Sequence, residues 1–331
     1  MKTLFEAARP MLAAITAAAA LAAASTGAHA QAEQFPNRPV KLIVTSAVGG
    51  SGDLVARLVA EKLSGLWGQP VVVEQKVGAN GMVGTMAAQK APPDGYTAFM
   101  SYTSLVQNLF MLPDPGYTMD DFVPVSMVTA LPLVLAASNT LGADSVADLI
   151  QRAREQNGTL SYGSSGIGSS GHLMGASLAR LGGVKMIHVP YKGEAASFTD
   201  LASGRLSAHF GSIGFYGPQA AAGKVRILAV ASRQRLRRHP SIPTLAEAGY
   251  GGANLAGWAA IFVPAGTPPA IVQKMSDGVQ KVLAQPDVQN AILDVGFEPG
   301  GSSPEQLARF LRQEVDRWGT VIKDPALRIE R

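Results

Sequence analysis

Residues 162–173 read YGSSGIGSSGHL, four glycines and four serines between two apolar runs. Three chemistries compete for such a stretch. Gly166, Gly168 and Gly171 form a G-x-G-x-x-G, the spacing of a dinucleotide loop. A serine on a sharp strand-to-helix turn could be a nucleophile. The loop could also grip some other anion. A second loop, TSAVGGSGD (45–53), has the same order of parts: apolar run, glycine/serine loop, helix start. A helix start presents unpaired N–H groups and a partial positive charge, which together suit an anion. Glycines let the backbone come close, and serines add hydroxyls. Such loops are also ordinary connections, in which Ser169 or Ser170 caps one helix and Asp53 caps another. Two of them at matching places in successive units point to a shared binding cleft.

The other chemistries meet specific obstacles. A dinucleotide fold needs a glycine close behind the strand and an acid about 20 residues on. Here position 186 is Met186, and the first acid downstream is Glu194. A hydrolase elbow needs G-x-S-x-G. The run from Gly163 to Ile167 lacks the last glycine, and Gly168 to Gly171 has the wrong spacing. His172, His188, His209 and His239 offer bases without an evident acidic partner. His172 reads as a loop-orienting or ligand-contacting group, and His188 as a packed strand residue. There is no H-E-x-x-H or comparable cluster, so no metal is expected. The reading is a binding protein without catalytic residues or cofactors, with an exported serine hydrolase as a weaker alternative. About five or six hydrogen bonds to a charged group, at roughly 1.5–3 kcal/mol each, offset the cost of association and reach micromolar affinity.

These residues need a scaffold, and the first thirty indicate where it works. Lys2 and Arg9 precede the apolar run MLAAITAAAALAAA (11–24), and Ala28-His29-Ala30 has the small-x-small pattern of a cleavage site. The run is shorter than the roughly 20 residues of a membrane span. Export is therefore expected, with residues 1–30 removed and a mature start at Gln31. The chain has no cysteine, which excludes a lipid anchor on cysteine, disulfides and thiolate metal sites. What remains is about 300 residues, room for two domains. A formal charge of +4 over the whole chain is too weak to suggest nucleic acid as a partner.

Short apolar runs alternate with stretches of helical period, the pattern of parallel sheets with helices on their faces. Strands are expected at 40–47, 71–75, 96–101, 159–162, 186–191, 207–212, 225–232 and 258–266. Helices are expected from Asp53, at 86–90, 145–155, up to Leu181, at 194–202, 269–284 and 304–322. In the first helix Leu54, Val55, Leu58, Val59 and Leu63 are expected to face inward. The run 122–138, interrupted by Pro124 and Pro132, reads as one strand leaving a domain and another entering the next. Arg233, Arg235, Arg237 and Arg238 read as a solvated face, or as a surface for a membrane partner.

Taken together, the chain resembles the extracytoplasmic solute receptors of tripartite tricarboxylate transporters, the Bug family. The landmarks run in order from about Phe35 to Val321: FPNRPVKLIV, GGSGDLVARLVAEKL, GQPVVVEQKVGANGMVG, APPDGYT, YGSSGIGSSGHL, HVPYKG, IPTLAEAG and VPAGTPP. The resemblance implies an α/β, two-lobed periplasmic binding protein of type II-like, Venus flytrap form, with a mixed, largely parallel sheet in each lobe. Lobe 1 would comprise 31–131 plus 254–331, and lobe 2 residues 132–253. It implies a monomer that holds a small carboxylate (a di- or tricarboxylate, an acidic amino acid or an aromatic acid) and delivers it to membrane permease subunits. A sensor subunit docking on a signalling receptor would have the same fold and loops. Implied ligand contacts in the first lobe are Ser46, Val48, Gly49, Gly50 and Asp53, with Ser101, Thr103 and Ser104. In the second lobe they are Ser164, Ser165, Gly168, Ser169 and His172, with Tyr191 and Ser212. The first loop departs from the family's P-x-A-G-G-x-T-D at Ser46, Val48 and Gly52. The second strand ends Glu74-Gln75-Lys76 where E-N-R is usual.

Overall fold

The computed structural model describes residues 35–46, 48–167, 169–191 and 193–323. The expected leader and Gly168 lie outside them. The first sheet begins with β1 (Val40–Val44), β2 (Val71–Gln75) and β3 (Thr97–Tyr102), joined by helices α1 (Ser51–Trp67) and α2 (Met82–Gln89). A short helix α3 (Ser104–Met111) follows, then β4 (Phe122–Leu131). The chain then crosses at Pro132 into β5 (Leu133–Ala137), the first strand of a second sheet. That sheet adds β6 (Ser161–Ser164), β7 (Ile187–Pro190), β8 (Ala208–Ser212) and β9 (Arg226–Ala231). Its helices are α4 (Val146–Glu155), α5 (Ser170–Leu181), α6 (Glu194–Ser203) and α7 (Ile213–Ala221). A second crossing returns the chain to the first sheet through β10 (Gly257–Pro264) and β11 (Glu298–Pro299). Helices α8 (Pro269–Leu283), α9 (Pro286–Asp294) and α10 (Pro304–Lys323) complete that lobe.

The sheet orders are β11-β4-β10-β3-β1-β2 and β7-β6-β8-β5-β9. Pairings are parallel within the βαβ units, β1 with β2 and β3, and β6 with β7 and β8. They are antiparallel where crossing strands enter, as β10 does beside β3 and β4 and β5 beside β8 and β9. Both sheets carry helices, so the fold is α/β and two-lobed. Leu42, Val44, Met100 and Ile261 pack with Val55, Val59 and Val279 on one face of the first sheet. Ile43, Phe99 and Phe262 face the other way, the alternation that a strand imposes.

Three expectations need correction. Leu54 is 52 % exposed; the inward face of α1 is instead Gly52, Asp53, Val55, Ala56, Val59, Ala60 and Leu63. Small residues let the helix turn Asp53 inward, a placement that hydrophobicity alone did not suggest. Asp53 does not cap α1, because Gly50 occupies the N-cap position. Pro124 does not interrupt β4: it pairs with Phe262 beside a register shift, where a missing N–H is tolerated.

Candidate functional site

A cleft of about 570 Å³ opens between the lobes, within the range of small-molecule sites. Thr45, Ser46, Tyr102, Thr103 and Ser104 line it from the first lobe, and Ser165, Ser169, Ser170, Gly171 and Phe210 from the second. Leu131 and Leu133 stand at the first crossing, and Gly257 and Trp258 close the wall where β10 begins. Among the described lining residues none is Asp, Glu, Lys, Arg or His. Electrostatic pull must therefore come from dipoles. Three helix starts reach the wall: Gly81 before α2, Thr103 before α3 and Ser169 before α5. Each carries roughly half a positive charge and donors that the helix itself leaves unpaired. Such an arrangement favours an anion with its charge at its ends.

The second loop is held by its own hydroxyls. Ser169 caps α5, its Oγ accepting from the His172 N–H at 3.3 Å. The same Oγ lies 3.1 Å from Ser164 Oγ and 2.7 Å from the Gly166 carbonyl. Ser164 is fully buried, 2.7 Å from His188 Nε2. That Ser–His contact does not make a nucleophile, because no substrate can reach a hydroxyl buried under the loop. Ser165 and Ser170 stay at the cleft wall. His172 stacks on His188 with ring centroids 3.9 Å apart. Burial holds His172 below its ordinary pKa, and burial with repulsion from His172 takes His188 down to about 4. Both rings are neutral at neutral pH and bring no charge to the loop.

The first loop folds around Asp53. Its carboxylate accepts from the Gly49 N–H at 2.9 Å, from Arg57 at 2.9 Å and from Gln75 Nε2. Burial pushes Asp53 up, but the bonds from Gly49, Arg57 and Gln75 together outweigh it and hold the carboxyl below its ordinary pKa. Gln75 thus has a task at the end of β2, anchoring the loop through Asp53. With the carboxylate turned inward, Val48, Gly49 and Gly50 are exposed outside the cleft, and of the described loop residues Thr45 and Ser46 reach it. Ser46 Oγ accepts from the Tyr102 hydroxyl at 3.1 Å. A Cβ at Gly52 would overlap that hydroxyl, so glycine at 52, serine at 46 and tyrosine at 102 form one packed set. Gly52→Ala should displace the Tyr102 ring and cost about 1–2 kcal/mol of stability. In a Tyr102→Ala background the cost should disappear. Equal losses in both backgrounds, by urea denaturation, would show that the three are not coupled.

Ser101, Tyr191 and Ser212 are not among the residues that line the cleft. Ser101 is buried in β3, its Oγ without a hydrogen-bond partner among the described residues. The Tyr191 hydroxyl donates to Asp200 at 2.9 Å, and Ser212 caps α7 and donates to Glu194 at 2.8 Å. Conversely, Asn80, Gly81, Tyr102, Gln107 and Trp258 line the cleft without having been singled out in the sequence. The glycine-rich stretch VGANGMVG leads into the helix expected at 86–90, and that was the available signal for Gly81.

One further histidine bears on stability. His209 is fully buried, with neither ring nitrogen partnered among the described residues, and burial takes its pKa down to about 4. A depressed histidine stabilises fully above its unfolded value near 6.5, and this is lost as pH falls towards the folded value. His209 alone should cost about 2 kcal/mol between pH 7 and pH 5. The urea midpoint should fall over that interval; a midpoint equal at both pH values would contradict the buried neutral ring.

The two lobes, the interlobe cleft and its uncharged lining define a periplasmic-binding-protein fold built for a small solute. The chain matches the Tripartite tricarboxylate transporter family receptor (TctC) over residues 55–327, and it belongs to that family. It is a solute receptor and not an enzyme. It is 33 % identical over 313 residues to the protein BugT of Bordetella pertussis, covering 94 % of this chain and 96 % of BugT. Solved relatives include Rpa4515 of R. palustris with adipate, at 35 % identity and TM-score 0.71 over 87 % of this chain and 97 % of that one. MatC of Rhodopseudomonas palustris with bound malate is 29 % identical, at TM-score 0.68 over 87 % of this chain and 99 % of that one.

Proposed function

We propose that this chain captures a small organic carboxylate between its lobes in the periplasm and delivers it to tripartite tricarboxylate-type permease subunits. The observation that carries the reading is the cleft itself: three helix starts and a ring of hydroxyls, with no charged side chain on the described wall. Adipate and malate in the related receptors support the carboxylate class. A dicarboxylate suits the geometry best, since helix starts stand on both sides of the space. Ser46, Thr103 and Ser104 would hold one end, and Ser165, Ser169 and Ser170 the other. Residues 1–30 would be removed on export, leaving a mature chain that begins at Gln31. Lobe 1 would be 31–131 with 254–331 and lobe 2 132–253, the chain acting as a monomer.

A ligand that touches both lobes completes its bonds only when they approach, so binding shifts an open–closed equilibrium. Small-angle scattering tests this with adipate and malate in turn. The radius of gyration should fall with whichever acid gives a calorimetric binding isotherm. Binding with an unchanged radius would contradict closure between lobes.

A further inference from the structure

A second cavity, of about 360 Å³, lies against the two crossings and shares Gly257 and Trp258 with the cleft. Its walls come from both lobes. Arg233 stands just beyond β9, while Phe310, Glu314 and Arg317 project from α10. Unlike the cleft, this cavity is lined by guanidinium groups, and their partners leave a surplus. Arg235 is paired with Glu247 at 3.0 Å and Arg237 with Glu298 at 3.6 Å. Arg317 gives one N–H to Glu314 and another to the Asn254 carbonyl, both at 2.6 Å. Its Nε is buried with no partner among the described residues. Arg233 lies over the Phe310 ring at 5.0 Å, and its hydrogen-bond partner among the described residues is the Gln313 amide oxygen, at 3.3 Å.

We propose that this hinge cavity is a second anion site, taking a monocarboxylate with a flat apolar body. Among the described residues Arg233 is the lining arginine with no carboxylate partner, so a single negative charge restores balance. A guanidinium held over an aromatic ring keeps its edge N–H groups free for the fork that matches a carboxylate. Phe310, Trp258 and Pro132 give the body an apolar bed. An occupant would tie the segment after β9 to α10 across the hinge, a position from which it could alter closure.

Benzoate is the probe, and the indole N–H signals of the three tryptophans are the reporters. Trp258 lines the cavity, whereas Trp67 does not. Benzoate should move the Trp258 signal saturably at millimolar concentrations and leave Trp67 in place. Arg233→Ala, at an exposed position that should not disturb folding, should weaken this by about 10-fold, the loss of one charge-assisted contact. Ser170→Asp, which places a like charge in the cleft, should leave the benzoate titration unchanged. The proposal fails if Trp258 does not respond, if Arg233→Ala has the wild-type curve, or if Ser170→Asp abolishes the response and so assigns benzoate to the cleft.

Discussion

Ser170→Asp should remove carboxylate binding while leaving the protein as stable as the wild type, or slightly more so. Ser170 is the first residue of α5 and lines the cleft, and the first turn of that helix has no acidic side chain. An acid there meets the positive end of the helix dipole, which contributes about 0.3–1 kcal/mol to stability. The same carboxylate stands where the ligand's own charge must sit. At about 4–5 Å and an effective dielectric near 20, two like charges repel by roughly 3–4 kcal/mol. Affinity should therefore fall by about 100- to 1000-fold. Ser170→Asn, uncharged and similar in size, should retain most binding. Calorimetric titration beside thermal denaturation separates the effects, and loss of stability along with binding would show misfolding instead of repulsion.

Glu314→Ala should produce the largest loss of stability of any single substitution considered. The Glu314 side chain is 2 % exposed. Its carboxylate accepts from Trp258 Nε1 at 2.9 Å, Trp318 Nε1 at 3.2 Å and Arg317 Nη2 at 2.6 Å. Removing it leaves two buried indole donors unpaired and a guanidinium without its counter-ion. Two buried donors left unsatisfied at about 1–3 kcal/mol each, with a smaller loss from the partly exposed Arg317, cost about 3–5 kcal/mol in all. The consequence reaches the cleft, because Trp258 lines it and is tied to Thr103 by two hydrogen bonds: the Trp258 N–H donates to Thr103 Oγ1 at 2.9 Å, and the Thr103 N–H to the Trp258 carbonyl at 3.2 Å. Ligand affinity should therefore fall in the variant even under conditions where it is folded. Denaturation by urea checks the first claim, and a loss below about 1 kcal/mol would show that the carboxylate is dispensable.

The two-lobed architecture was readable from the sequence because its signals are local. Buried parallel strands are apolar runs, and Pro132 marks the first crossing within one such run. Helix α3 was not anticipated. SLVQNLFM is only eight residues long and follows β3 with Thr103 as the single intervening residue. Helix α7 was hidden by Gly214, Gly217 and Pro218, residues that ordinarily argue against a helix. The cleft was half legible. Ser165 and Ser169 announce themselves in a glycine-rich loop, whereas Gln107 and Trp258 reach the wall only through tertiary packing. Asp53 illustrates the limit best. Its acid type and position suggested a cap or a ligand contact; Gly50 takes the N-cap position, and the inward turn of α1 brings the carboxylate onto Gly49, Arg57 and Gln75.

Native mass spectrometry of the exported protein, isolated gently from the host periplasm, tests carboxylate capture in the cleft most directly. Wild-type protein should carry a non-covalent adduct with the mass of a small organic acid, and Ser170→Asp prepared alongside it should carry none. A wild-type protein that remains bare when offered adipate, malate and host extract would contradict carboxylate capture. An adduct equally abundant on both proteins would contradict the cleft as its site.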